Sequence, residues 1–296
     1  MNKEENEIIK AREGIKKALT VCDGVICFTK EDMESMVQLG ADKRKVFLLP
    51  CGTNPGKINN VGAKALNKHN MLFLGNLFHE PNRIALKDIR KIILPRVRKR
   101  FPDARLILVG DAPRELVKEI MCDESISYKG TVEDLNEVFK ETSIALCPIT
   151  SGSGMRIKVL DYLTAGLPIV TTEMGVKDAI TNKGVIFEND VQKFAEHIIN
   201  IFNSDISDVQ RECNLARQIA EGLAWEKIAE DSITIYKSML NGSRVIDNVL
   251  FNFEGKILSE PYFLQDFIKL NRFDNHRPTF KDFGYGVLQN GEMVLK

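Results

Sequence analysis

From residue 70 onward, short and almost unbroken apolar runs alternate with longer amphipathic stretches. The runs are MLFLG, ARLILVG, SISYKG, SIALCPI, PIVTT and GVIFE. A strand that is apolar at every position is buried on both faces, which an antiparallel sheet open to water does not require. The alternation therefore predicts a parallel sheet with helices on both faces, an α/β Rossmann-like class. Right-handed crossovers would bring the carboxyl ends of all these strands to one edge, where open α/β sheets bind ligands.

The intervening stretches read as helices. Positions 82–100 carry Ile84, Ile89, Ile92, Ile93 and Val97 at helical spacing, and further helices are expected at 115–121, 132–141 and 155–165. Thr131 is the expected cap of the second of these, a short helix is expected at 176–180, and longer ones at 190–203 and 205–241. Upstream, 4–20 reads as a helix and GVICF as a strand. Thr29 then caps a helix ending near Leu39, with Asp32 in a near capping-box position, and KVFLLP is another buried strand. CGTNPGKINNVG, rich in turn residues, reads as a linker. Three regions result: 1–55, 56–241 and a tail of 242–296. In the tail, VIDNVLFNFEGKILSE reads as a hairpin turning at EGK, and FKDFGYGVLQNGEMVLK as a second one.

Composition narrows the functional classes. Lys plus Arg equals Asp plus Glu at 41 each, so no net field draws the chain to nucleic acid. No apolar run approaches the length that spans a bilayer, and MNKEENEIIK lacks a signal-peptide core. The six cysteines form no CxxC pair and the four histidines no metal-ligand spacing. A reducing cytoplasm, no disulfide framework and no bound metal are expected.

SGSGMRIKVLDYLTAGLP, residues 151–168, holds the densest chemistry. Free N–H groups and the helix dipole at a glycine-rich helix start attract an anion, and Gly152 and Gly154 let it approach. Gly154, Lys158, Asp161 and Ala165 share one face by their spacing, and Val159, Leu160 and Leu163 the other, buried one. A diphosphate would sit over the turn beside Lys158, with Asp161 accepting from sugar hydroxyls. Arg156, two residues from Lys158, would reach the same anion only from the first turn. The alternative is a Ser-capped helix with a Lys158–Asp161 surface ion pair. Gly75, Gly110 and Gly130 end other strands on the same edge, and backbone groups at Gly130, Thr131 and Val132 would read a base edge.

The ordered set LFLGNLFHEPNRIAL, ILPRVRKRFPDARLILVGDAP, YKGTVEDLNEVF, ALCPITSGSGMRIKVLDYLTAGLPIVTTEMG and AWEKIAEDSITIY resembles the C-terminal donor-binding domain of GT-B glycosyltransferases of family 4 (group 1). The likeness runs from about Cys22 to Leu240. It implies transfer of a sugar from a nucleotide-activated donor, a UDP- or GDP-sugar, with retention and without a metal or other cofactor. The acceptor would be a glycan or lipid-linked sugar, handled in the cytoplasm or at the inner face of the membrane during polysaccharide assembly.

The resemblance assigns Gly75, Asn76, Gly152, Ser153, Gly154, Arg156 and Lys158 to the diphosphate and Asp161 to the ribose. It puts Gly110, Asp111, Lys129, Gly130, Thr131 and Val132 on the nucleotide side. The family has two carboxylates eight positions apart. Asp161 stands for the second, while Ser153 stands where the first touches the donor sugar. No catalytic residue is assigned. Residues 1–55 resemble the end of the family's N-terminal, acceptor-binding domain. That leaves a non-catalytic donor-binding half, completed by a partner chain, as the alternative to a transferase. A nucleotide-sugar epimerase is disfavoured because the sequence shows no carboxylate–histidine set suited to proton abstraction, and a dinucleotide oxidoreductase because no GxGxxG opens the first helix.

Overall fold

The computed structural model describes residues 3–152, 157–176 and 184–240, together with the backbone strands 287–289 and 292–294. The chain divides into two compact units, one of residues 53–222 and one of residues 1–52 with 223–296.

In the second of these, α1 (Lys3–Val21) leads to β1 (Val25–Cys27), α2 (Lys30–Gln38) and β2 (Val46–Leu48). β1 and β2 pair in parallel, with Val25 opposite Val46. Thr29 caps α2 as the sequence implies, its hydroxyl accepting from the Asp32 amide at 3.0 Å. The same unit holds α10 (Trp225–Leu240) and the antiparallel pair β9 (Val287–Gln289) and β10 (Glu292–Val294), which falls within the second hairpin expected from the tail. The first expected hairpin, at EGK, lies outside the described residues.

Residues 53–222 form the sheet that the apolar runs demand. Its strands are β3 (Asn70–Leu74), β4 (Arg105–Val109), β5 (Ile126–Gly130), β6 (Ile144–Cys147), β7 (Ile169–Thr171) and β8 (Val185–Phe187). They lie in the order β5-β4-β3-β6-β7-β8, every neighbouring pair parallel. Met71, Leu72, Phe73, Leu106, Leu108, Ala145 and Leu146 are wholly buried, as two-sided burial requires. The crossovers run one way from β3 to β4 to β5 and the other way from β6 to β7 to β8. The switch point lies between β3 and β6.

Helices α3 (Glu80–Asp88), a π turn (Ile89–Ile93) and α4 (Leu94–Arg100) follow β3, and α4 packs with α8 (Val191–Asn203). α5 (Arg114–Met121) and α6 (Leu135–Glu141) follow β4 and β5. α7 (Ile157–Thr164) follows β6 and packs against α9 (Ile206–Gly222).

Four sequence expectations change. The helix expected at 82–100 begins at Glu80 and passes through the π turn. The register shift buries Ala85, Leu86, Ile89, Ile93, Leu94 and Val97 and leaves Ile84 exposed. α6 begins at Leu135, because Asp134 rather than Thr131 caps it, accepting from the Asn136 amide at 2.9 Å. The helix expected at 205–241 is two, α9 and α10, separated at Leu223 and Ala224 just past Gly222. The stretch 51–62 is no free linker. Val61 donates to the Ala165 carbonyl at 2.9 Å, and Arg217 donates to the carbonyls of Pro55, Ile58 and Thr164. The start of the helix expected at 155–165 and most of the one at 176–180 lie outside the described residues.

Candidate functional site

The ends of β3 and β4 leave the sheet through turns pressed against each other. Gly75 donates to the Val109 carbonyl at 2.9 Å, and Leu77 to the Asp111 carbonyl at 2.7 Å. Gly110 has φ +132°, and a Cβ there would overlap the Gly75 carbonyl oxygen. Only glycine meets both demands, the left-handed backbone and the close approach. One strand further out, Gly110 donates to the Gly130 carbonyl at 2.7 Å, and the Tyr128 hydroxyl donates to the Gly110 carbonyl at 3.0 Å. The turns after β3, β4 and β5 thus form one hydrogen-bonded edge.

On the other side of the switch point, α7 buries Val159, Leu160, Tyr162 and Leu163. β3 and β6 pair at Met71–Ile144 and Leu72–Ala145 and then part. The Tyr162 hydroxyl fills the gap, accepting from the Leu74 amide at 2.8 Å and lying 3.5 Å from the Leu146 carbonyl. Lys158, on α7, reaches back toward β3. Its ammonium lies 4.3 Å from the centre of the Phe73 ring and donates to Asn82 Oδ1 at 2.7 Å. A Cβ on Gly75 would stand 3.1 Å from the same Nζ and 2.9 Å from Asn82 Cγ. Asn82 Nδ2 donates to the Asn76 carbonyl at 2.8 Å, and Asn76 Oδ1 accepts from the Phe78 amide at 2.9 Å.

Asp161 follows Lys158 by three residues, about 4.5 Å along the helix axis. Burial pushes its carboxyl up to about 7. The Lys158–Asp161 ion pair offered by the sequence is replaced by the bond from Lys158 to Asn82.

Gly75, Asn76, Gly110, Gly130 and Lys158 therefore stand along one edge in a continuous set of contacts. Gly152, with φ +103°, follows β6 on the same edge. The side chains of four other expected members, Lys129, Asp111, Thr131 and Val132, take no part in this set of contacts. Lys129 is directed to Glu141, 3.9 Å away on α6. Asp111 turns its carboxylate onto the Ala112 amide at 2.9 Å. Thr131 is exposed and Val132 half-buried, and neither caps a helix. Ser153, Gly154 and Arg156 lie outside the described residues. The sequence reading missed Asn82 and Tyr162. Asn82 sits in the first turn of α3, where an asparagine reads as an ordinary helix-start residue, and Tyr162 reads as core. Among the described residues, no three His, Cys, Asp or Glu side chains are grouped to hold a metal, and no helix is long and apolar enough to cross a membrane.

Residues 68–204, the β3–α8 segment that carries this edge, match the family model described as glycosyl transferases group 1. That match makes the segment similar to the group 1 glycosyl transferases. An uncharacterized 44.6 kDa protein in cps region of Klebsiella pneumoniae is 31% identical over 156 residues, 49% of this chain and 40% of that protein. Solved structures share the fold over about three quarters of this chain at low identity. HepE of Anabaena, in complex with UDP and glucose, is 14% identical with a TM-score of 0.56, covering 76% of this chain and 63% of that one. The pneumococcal O-GlcNAc transferase GtfA, in complex with UDP and GlcNAc, is 16% identical with a TM-score of 0.60, covering 74% and 45%. Sucrose-phosphate synthase from Thermosynechococcus elongatus is 20% identical with a TM-score of 0.56, covering 74% and 59%. The chain spans roughly half the length of these relatives. The fold is the Rossmann-like α/β half of a GT-B architecture.

Proposed function

We propose that residues 56–241 bind a nucleoside diphosphate sugar and serve the transfer of its sugar to a glycan or lipid-linked acceptor. The observation that carries this reading is Lys158, held across the switch point against the Gly75 turn with Asp161 one helical turn further. A cation, bare backbone and a carboxylate at that spacing suit a diphosphate followed by a ribose. The match of residues 68–204 to the group 1 glycosyl transferase model supports the reading, as do similar structures that hold UDP with a sugar.

In this scheme the diphosphate lies over Gly75, Asn76, Gly152, Ser153 and Gly154, within reach of Lys158 and Arg156. Asp161 takes the ribose hydroxyls. The backbone around Gly110, Asp111, Gly130, Thr131 and Val132 borders the base, with Lys129 at the rim. As the sugar departs, negative charge grows on the diphosphate, and Lys158 stabilises it without reorganising because it is already fixed in place. The step is retaining and uses no metal. The acceptor-facing groups belong to an N-terminal domain, in this polypeptide or in a partner chain. A polysaccharide-building setting is in keeping with the relative from a cps region.

Calorimetry and thermal shift with UDP, GDP and their sugars test the scheme. A diphosphate nucleoside at about 100 times its dissociation constant stabilises the fold by about 2.7 kcal/mol. Lys158→Ala should weaken it at least tenfold with the melting temperature of the free protein little changed. If no nucleoside diphosphate binds, the donor reading fails. Ser153, standing for the carboxylate that touches the donor sugar in the family, favours a second reading in which this chain binds the donor without transferring it alone. Release of sugar from the donor by the isolated chain would sink that second reading.

A further inference from the structure

The geometry points to Asn82 as a positioning residue of this site: its side-chain amide fastens the Lys158 ammonium to the backbone of the loop after β3. This rests on the donor-binding reading above.

Asn82 and Lys158 are 76 residues apart in sequence, on helices that follow β3 and β6, the two strands that flank the switch point. The carboxamide presents both hydrogen-bonding functions at once. Nδ2 donates to the Asn76 carbonyl at 2.8 Å, while Oδ1 accepts from Lys158 Nζ at 2.7 Å. No other side chain of this length does both. Aspartate has no donor for the carbonyl, leucine neither function, and serine is too short to span the two partners.

Two neighbours close the arrangement. The Phe73 ring lies beneath the ammonium at 4.3 Å. Gly75 leaves the space both groups occupy, since its Cβ would stand 2.9 Å from Asn82 Cγ and 3.1 Å from Nζ. Amide, ring and glycine are all neutral. These three contacts orient the cation without placing an opposite charge against it, whereas a carboxylate at position 82 would add one. A free lysine loses up to about 2 kcal/mol of rotamer entropy when it settles on a ligand. Here Asn82 has ordered it beforehand, so less of that cost falls on binding. The same amide sets the carbonyl of Asn76, so the turn and the cation that would meet one diphosphate are aligned by a single side chain.

The test uses the full chain in two measurements: acylation of Lys158 by a limiting amine-reactive reagent, read by peptide mass spectrometry without nucleotide, and calorimetric titration with UDP. With Asn82→Ala, Lys158 should acylate about three- to tenfold faster while the exposed Lys118 and Lys140 keep their rates, and UDP should bind about tenfold more weakly. Asn82→Asp should slow the acylation through ion pairing and weaken UDP further, because the diphosphate must displace a carboxylate. In the Lys158→Ala background, Asn82→Ala should cost less than about twofold more. Asn82→Ser serves if the alanine variant does not fold, with the same expected direction. An unchanged Lys158 acylation rate in these variants overturns the proposal, and so do losses that simply multiply in the double variant. Should wild type take up no UDP, the donor reading fails, and the acylation rates alone still decide whether Asn82 holds Lys158.

Discussion

Asp161 is a carboxyl whose fold works against its charge. Burial lifts it to about 7 from the ordinary carboxylate range. Below pH 4 it is protonated in the folded and the unfolded chain alike, and it contributes nothing. Between about pH 4 and 7 the unfolded chain releases this proton and the folded chain keeps it. The folded state therefore loses stability as pH rises through that window, then levels off. At about 1.4 kcal/mol for each pH unit, the loss at pH 8 is at most about 4 kcal/mol. Asp161→Asn should leave stability at pH 4 nearly unchanged and raise the melting temperature at pH 8. Function should move the other way. A ribose diol donates to a carboxylate, so wild-type affinity for UDP should fall as pH drops from 8 to 6, while the asparagine variant binds weakly at both. Equal melting temperatures for the two proteins at pH 8 would refute the burial argument. An unaltered affinity in the variant would refute the ribose role. At this scale the sequence was informative wherever a residue type has one physical use. Gly75 and Gly110 were legible because bare backbone at a strand end means a close approach. Asn82 was not, because a side-chain amide that joins two helices leaves no trace in the local pattern of either.

The strands were legible as elements because burial on both faces forces unbroken apolar runs, whatever the surroundings. Helix ends depend on individual hydrogen bonds, and there the pattern gave less. In TVED, both Thr131 and Asp134 are good caps, and the structure uses Asp134, which accepts from the Asn136 amide. The π turn at Ile89–Ile93 inserts a register shift that a strict helical repeat does not contain. The parting of β3 and β6 is likewise a property of the assembled sheet. It leaves the Leu74 amide without a strand partner, and the hydroxyl of Tyr162 from α7 takes its place at 2.8 Å. One buried side chain thus joins α7 to the strand end beside Gly75. Tyr162→Phe keeps the ring and removes that acceptor, leaving a buried N–H unsatisfied at a cost of about 1–3 kcal/mol. Chemical denaturation should show this loss with an unchanged slope, and the Leu74 amide should exchange with solvent faster than its neighbours. Exchange at Leu74 equal to that in wild type would mean the hydroxyl does not carry the bond.

For the molecule as a whole, the compact unit of residues 53–222 contains all six strands of the parallel sheet and the whole Lys158–Asn82–Gly75 arrangement. Its first residues read as a linker in sequence because Gly, Pro and Asn mark turns, but they are tied to the body of the unit. Thr53 shares a hydrogen bond with Thr164, and the Arg217 guanidinium on α9 reaches the carbonyls of Pro55, Ile58 and Thr164 while its Nε pairs with Glu221 at 3.0 Å. Thr164 is the last residue of α7, so this clasp holds the far end of the helix that presents Lys158 and Asp161. A unit with its own closed core and its own strapped N-terminus should fold alone. Residues 53–222, produced by themselves, are expected to melt in one cooperative transition and to bind UDP within about threefold of the full chain. Arg217→Ala in that fragment should cost about 3 kcal/mol, the scale of losing charged hydrogen bonds to several carbonyls, and should open the amides of Val61 and Gly62 to exchange. A fragment that melts without cooperativity would mean that residues outside 53–222 are needed for this core. A fragment that folds but takes no UDP, beside a full chain that does, would mean that donor contacts come from those residues as well.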